Sequence, residues 1–150
     1  MAKKYPGNYT VRLHVIVTTG IEQAYDAFTK PELLSLWFTK EAQADLRAGA
    51  RYSNSDKDKG TFLVLDHPRH VRFAWDNEEH CPGTIVDINF RSIDSKNVYA
   101  SLEHSAIKDQ EEYDDMIHGW SWAMDSFKSY LETGKPIAYG EWLKAATDSV

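Results

Sequence analysis

Residues 9–38 read YTVRLHVIVTTGIEQAYDAFTKPELLSLWF, and their order decides the architecture. Val11, Leu13, Val15 and Val17 alternate with Thr10, Arg12 and His14, the period-two pattern of a strand with one buried face. Thr19-Gly20 breaks that strand. Ile21, Ala24, Tyr25 and Phe28 then recur at helical spacing, and Pro31 both ends this helix and suits the first position of the next. Leu33, Leu34, Leu36, Trp37 and Phe38 give the second short helix its apolar side.

From Ala42 to Ile107 short strand-like runs alternate with turn residues: Gly49, the polar stretch Asn54 to Gly60, His67-Pro68, Asn77 to Gly83, and Asp94 to Asn97. This pattern predicts an antiparallel meander. Its clearest strands are Thr84 to Arg91, with Val86, Ile88 and Phe90 on one face, and Val98 to Ile107, with Val98, Ala100, Leu102, His104 and Ala106 together. Asp109 and Glu112 then have capping-box spacing. Ile117, Trp120, Met124, Phe127 and Leu131 form one apolar stripe, and Gly134 with Pro136 supplies the stop. A final segment, Ala138 to Ala146, puts Tyr139, Trp142, Leu143 and Ala146 on one face of a short amphipathic helix. The simplest packing is an α+β fold: a curved antiparallel sheet wrapped around the long C-terminal helix, with the two short helices closing one end. One domain over 1–150 is expected, with its core at about 9–134 and an amphipathic extension at 136–150.

The 150 residues are 42% hydrophobic and 27% charged, an ordinary balance for a globular domain, and no apolar run is long enough to span a bilayer, so no membrane role is expected. The opening MAKKYPGNYT lacks the apolar core of a secretory signal, and Cys81, the single cysteine, has no internal disulfide partner; both point to the cytoplasm. A formal charge of -6, with basic residues scattered along the chain, argues against nucleic acid as a partner. No glycine-rich phosphate loop is present, so no cofactor is expected.

Ile21 to Thr29 followed by Lys30-Pro31-Glu32-Leu33-Leu34-Ser35-Leu36-Trp37-Phe38 resembles the opening of the C-terminal domain of the activator of the heat-shock protein 90 ATPase, within the START and Bet v 1-like (SRPBCC) helix-grip superfamily. Gly60 to Asp66 with Val71 to Trp75 is similar to that family's paired middle strands, and Gly119-Trp120 and Tyr130 to Gly134 are similar to its closing helix. The resemblance, from about Val11 to Gly134, implies a helix-grip fold with a cavity between sheet and long helix. No segment resembles the N-terminal half of the chaperone activator, so a chaperone partner is not expected, and the segment after Pro136 extends past the family's usual end, where it could cap the cavity or form a subunit contact.

Trp37, Phe73, Trp75, Phe90, His104, Trp120 and Met124 are the candidate cavity walls. Aromatic residues from different elements that converge on one interior make either a plain core or the lining of a pocket. Strand alternation points His104 inward, where it is either a core histidine satisfied by a backbone carbonyl near the strand end or a ligand contact. His118 lies beside the helix stripe and is expected to be partly exposed. His67 and His70 sit at one end of a strand and His80 and Cys81 at the other, too far apart to share a metal ion. The serines lack a nucleophile-elbow pattern, and Glu111-Glu112 and Asp114-Asp115 suit a helix N-terminus without acid–base work.

These features favour non-enzymatic binding of a small, mostly apolar molecule between the sheet and the Glu112 to Leu131 helix. Two alternatives stand beside it: a cyclase- or hydrolase-like enzyme with His104 as general base, and an interaction module, co-chaperone-like or homodimeric, working through the outer surface and the Tyr139 to Ala146 segment.

Overall fold

The computed structural model describes residues 7–148. Strand β1 (Tyr9–Thr18) is followed by helices α1 (Ile21–Thr29) and α2 (Pro31–Trp37), then strands β2 (Ala42–Ala44), β3 (Arg51–Asn54), β4 (Lys59–Asp66), β5 (His70–Trp75), β6 (Thr84–Ser92) and β7 (Asn97–Ile107). Helix α3 (Gln110–Thr133) and the short α4 (Tyr139–Asp148) complete the described chain. The seven strands form one antiparallel sheet in the order β1-β7-β6-β5-β4-β3-β2. Because β1 pairs with β7, the first and last strands are neighbours, and the sheet curls around α3.

The alternation read from the sequence decides which face curls inward. Val11 and Val17 of β1, Val86, Ile88 and Phe90 of β6, and Val98, Ala100, Leu102 and His104 of β7 are all buried on the concave side. From α3, Met116, Trp120, Ala123, Met124 and Phe127 meet them. Full burial of a side chain such as Phe127 contributes about 1.5–3 kcal/mol relative to exposure, so this interface dominates the stability of the fold. The Asp109 carboxylate accepts the Glu112 amide at 2.9 Å to cap α3, and Gly134, at φ 80°, closes its other end in the left-handed conformation.

Two expectations need correction. Ala106 does not share the inward face of β7: its φ of 67° turns the strand, the pairing with β1 shifts register between Tyr9 and Val11, and Ile107 is buried instead. Gly60 lies within β4 and not in the preceding turn. A Cβ there would sit 1.8 Å from the Ala74 carbonyl oxygen and 2.9 Å from the Tyr52 ring, so only glycine allows the Tyr52 ring and β5 to approach this closely.

Candidate functional site

A groove of about 1110 Å³ opens between the end of α2, the Asp56–Asp58 turn, the chain after β5, the first half of α3 and the segment running into α4. Phe38, Trp75, Trp120 and Trp122 form much of its wall. The Phe38 ring stacks on Trp120 with centroids 5.9 Å apart and on Trp122 at 6.0 Å. At its inner end the groove meets a smaller pocket of about 50 Å³, bordered by Phe28, Leu34, Tyr52, Phe62 and Phe73. Phe38, Thr39, Asp58, Trp75 and Trp120 border both spaces. The groove has room for the body of a small molecule, and the inner pocket only for its tip.

Gly119 also borders the groove, although it lies in the middle of α3. Glycine there costs about 1 kcal/mol of helix stability relative to alanine. Nothing lies within 4 Å of where its Cβ would be. Packing thus does not demand a glycine at this position, and a side chain there would point into open space.

The segment after Gly134 is tied to α3 by side chains. Ser126 Oγ donates to the Trp37 carbonyl at 2.9 Å and accepts the Ile137 amide at 3.1 Å. Trp122 Nε1 donates to the Ile137 carbonyl at 2.7 Å, and Trp142 Nε1 donates to Asp125 at 2.7 Å. Ser129 Oγ holds the Lys135 carbonyl at 2.7 Å. Tyr139 and Leu143 border the groove, so the apolar side of α4 contributes to its rim.

The seven cavity candidates separate into two groups. Trp37, Trp75 and Trp120 border the groove, and Phe73 borders the inner pocket with Trp75 and Trp120. Trp37 has its ring among Phe28, Phe38 and Phe127, and its Nε1 donates to the Ala27 carbonyl at 2.8 Å. Phe90, His104 and Met124 border neither space: Phe90 packs on Tyr25 and Phe28, and Met124 is buried on α3.

His104 is fully buried and has two side-chain partners in place of the expected backbone carbonyl. Trp120 Nε1 lies 2.9 Å from His104 Nδ1, and Thr84 Oγ1 lies 2.6 Å from His104 Nε2. An indole N–H can only donate, so Nδ1 must be the acceptor and the proton sits on Nε2, which donates to Thr84. The Thr84 hydroxyl in turn donates to the Cys81 carbonyl at 2.6 Å. Every donor and acceptor in this chain is matched. Burial pushes the imidazole pKa down from 6.5 to about 4, so it is neutral near pH 7. With one nitrogen protonated and the other's lone pair engaged, His104 has no free site for taking a proton from a bound molecule.

The other histidines lie apart. His67 Nε2 is 3.2 Å from Asp26 and His70 Nε2 is 2.7 Å from Asp87, while His118 is exposed and meets the Trp142 ring edge-on. Among the described residues no group of three or more His, Cys, Asp or Glu side chains is placed to hold a metal ion. No described helix is long and apolar enough to cross a membrane.

A model of the family described as "Activator of Hsp90 ATPase homolog 1-like protein" matches residues 18–132. The chain belongs to this family. Among solved structures similar to this family member, CalU16 from Micromonospora echinospora has a TM-score of 0.78 at 20% identity, covering 93% of this chain and 82% of that one. The Aha1 dimer from Colwellia psychrerythraea gives 0.76 at 17% identity, covering 85% of this chain and 98% of that one. PFC0360w, an HSP90 activator from Plasmodium falciparum, gives 0.69 at 20%, covering 75% and 87%. At these identities the likeness is one of fold, and it agrees with the helix-grip architecture. No curated protein sequence matches at a significant level.

Asp58 and Asn77 were missed by sequence reasoning. Both are polar and buried, and both border the groove. They come from turns, where acids and asparagines are common for purely local reasons, so no spacing in the sequence distinguishes them.

Proposed function

We propose that this member of the Hsp90-activator-like family holds a small, mostly apolar molecule in the groove between α2, α3 and the β5 end of the sheet, without transforming it. The observation carrying this reading is an aromatic-walled groove that narrows into an apolar inner pocket. Trp75 and Trp120 border both spaces and are the central contacts, with Phe73 bordering the inner pocket and Trp37 the groove. Gly119 adds support, because a helix-weakening glycine borders the groove where packing does not require one. The extension after Gly134 acts as a cover for the groove: its backbone hangs on Ser126 and Trp122 of α3.

The enzymatic alternative loses its base, since both imidazole nitrogens of His104 are engaged outside the groove. The interaction reading keeps Tyr139 and Leu143 as exposed apolar surface on the rim of the groove, while Trp142 is bonded to Asp125. The Colwellia relative is a dimer, and a homodimer of this chain through an outer surface is compatible with an occupied groove.

Native mass spectrometry of the purified protein, followed by denaturing extraction, tests the proposal and reads the subunit number in the same spectrum. A stoichiometric apolar compound travelling with the folded chain is the expected result. Deleting residues 136–150 should release that compound without changing the number of subunits. An empty protein whose melting temperature is unmoved by a broad panel of apolar ligands would overturn the proposal.

A further inference from the structure

The groove contains one side chain that an apolar ligand alone does not explain. Asp58 borders the outer groove, the inner pocket and a third, outward-facing hollow beside Lys57 and Lys59, yet the residue is only 7% exposed. Two neutral amides hold its carboxylate: Asn54 Nδ2 donates to Oδ2 at 3.0 Å and Asn77 Nδ2 to Oδ1 at 2.9 Å. Asn77 is itself fixed, because its Oδ1 accepts the Glu79 and His80 amides at 2.8 and 3.1 Å.

The neighbouring lysines do not neutralise it. Lys57 pairs with Glu79 at 3.3 Å and Lys59 with Glu78 at 3.4 Å, and among the described residues no ion pair reaches Asp58. A carboxylate has about four lone-pair positions, of which the two asparagines use two. Burial raises its proton affinity, the two asparagine bonds and the nearby His80 act in the opposite direction, and the nearby Asp56 adds to the effect of burial. A buried carboxylate hydrogen-bonded only to neutral amides is a costly arrangement, and a cation brought into the groove would relieve it.

The surroundings favour the same kind of guest. Asp56, Asp58, Asp115 and Glu141 border the groove against Lys40, His80 and His118. An acid-rich concave surface attracts cations, and Trp75 and Trp120, which border the same two spaces as Asp58, offer indole rings that attract a positive charge.

Building on the ligand-binding reading above, we infer that the groove selects amines: molecules with an apolar, ring-sized body that lies along Trp75 and Trp120 and an ammonium head that donates to Asp58. The asparagine pair orients the carboxylate and leaves the remaining lone pairs for the ligand. Thr39, whose hydroxyl donates to Asp56 at 2.8 Å, holds the second acid of the turn beside it.

The test uses the full chain and two probes that differ only in their terminal group, naphthalene-ethylamine and naphthalene-ethanol, titrated by calorimetry near neutral pH. The amine is expected to bind about tenfold or more tightly than the alcohol, the scale of one charged hydrogen bond. Asp58→Asn should abolish this preference while leaving alcohol binding in place. In the unaltered protein, the side-chain amide resonances of Asn54 and Asn77 should move on adding the amine and stay in place with the alcohol, a readout that holds even if D58N does not fold. Equal binding of the two probes, or unmoved asparagine resonances with bound amine, would overturn the inference and leave the ligand-binding reading standing. Failure of both probes to bind would also overturn the inference, while the ligand-binding reading is decided separately by co-purification and the broad panel of apolar ligands.

Discussion

Acidification should destabilise this protein through one histidine. In the folded chain His104 is neutral, with its pKa near 4, whereas an unfolded chain gives it the ordinary 6.5. Between those values the unfolded state binds the extra proton, so unfolding becomes easier as pH falls. The stabilisation is complete above about pH 6.5 and is lost progressively toward pH 4. The gap between the two pKa values corresponds to about 3 kcal/mol. Carboxylates titrate over part of the same range, so the measurement is a difference. His104→Gln retains an oxygen to accept from Trp120 and an amide to donate to Thr84, but has no proton to gain. Urea unfolding of both proteins across this range should show the wild type losing about 3 kcal/mol relative to H104Q between pH 6.5 and pH 4. The His104 ring resonances should stay still until the pH approaches 4. A constant difference across the range, or a His104 resonance titrating near 6.5, would refute the argument that burial and the Trp120–His104–Thr84 chain hold this imidazole neutral.

Three further changes probe the backbone and the groove. Gly119→Ala should raise the unfolding free energy by about 0.5–1 kcal/mol, since it replaces a mid-helix glycine in open space, while weakening any groove ligand; calorimetric melting and ligand titration read the two effects. Gly60→Ala should cost about 1–3 kcal/mol or more, because its Cβ would meet the backbone of β5, and the loss will appear as a lower denaturation midpoint. Ala106→Gly should stabilise by up to about 1 kcal/mol, because the residue occupies a left-handed conformation that alanine disfavours; an unchanged or lower midpoint would show that the turn is not strained.

The sheet and helices were legible because their signals are local and periodic. Alternation in β1 and β6 identified the buried face, and Asp109 and Gly134 marked the ends of α3. The reversal at Ala106 was not legible: a bulge depends on pairing between Tyr9 and Ile107, almost a hundred positions apart in the sequence, and alanine gives no turn signal. The aromatic walls were partly legible, since Trp75 and Trp120 sit on clearly patterned elements. Phe90, His104 and Met124 share the same inward pattern but lie outside the groove, because alternation tells inside from outside and does not tell packed interior from open space. Asp58 and Asn77 escaped because their meeting is made by two turns, each ordinary on its own.

Ser126 has a consequence for how motion would spread through the molecule. Its hydroxyl donates to the end of α2 and accepts from Ile137, so a single buried oxygen links two pieces of chain that both border the groove. Lifting the extension away would leave that oxygen short of a donor, and shifting α2 would leave its proton without an acceptor. The two pieces are therefore mechanically interlocked, and a spectroscopic label on the outer part of α4 would report events at Trp37 without touching the groove.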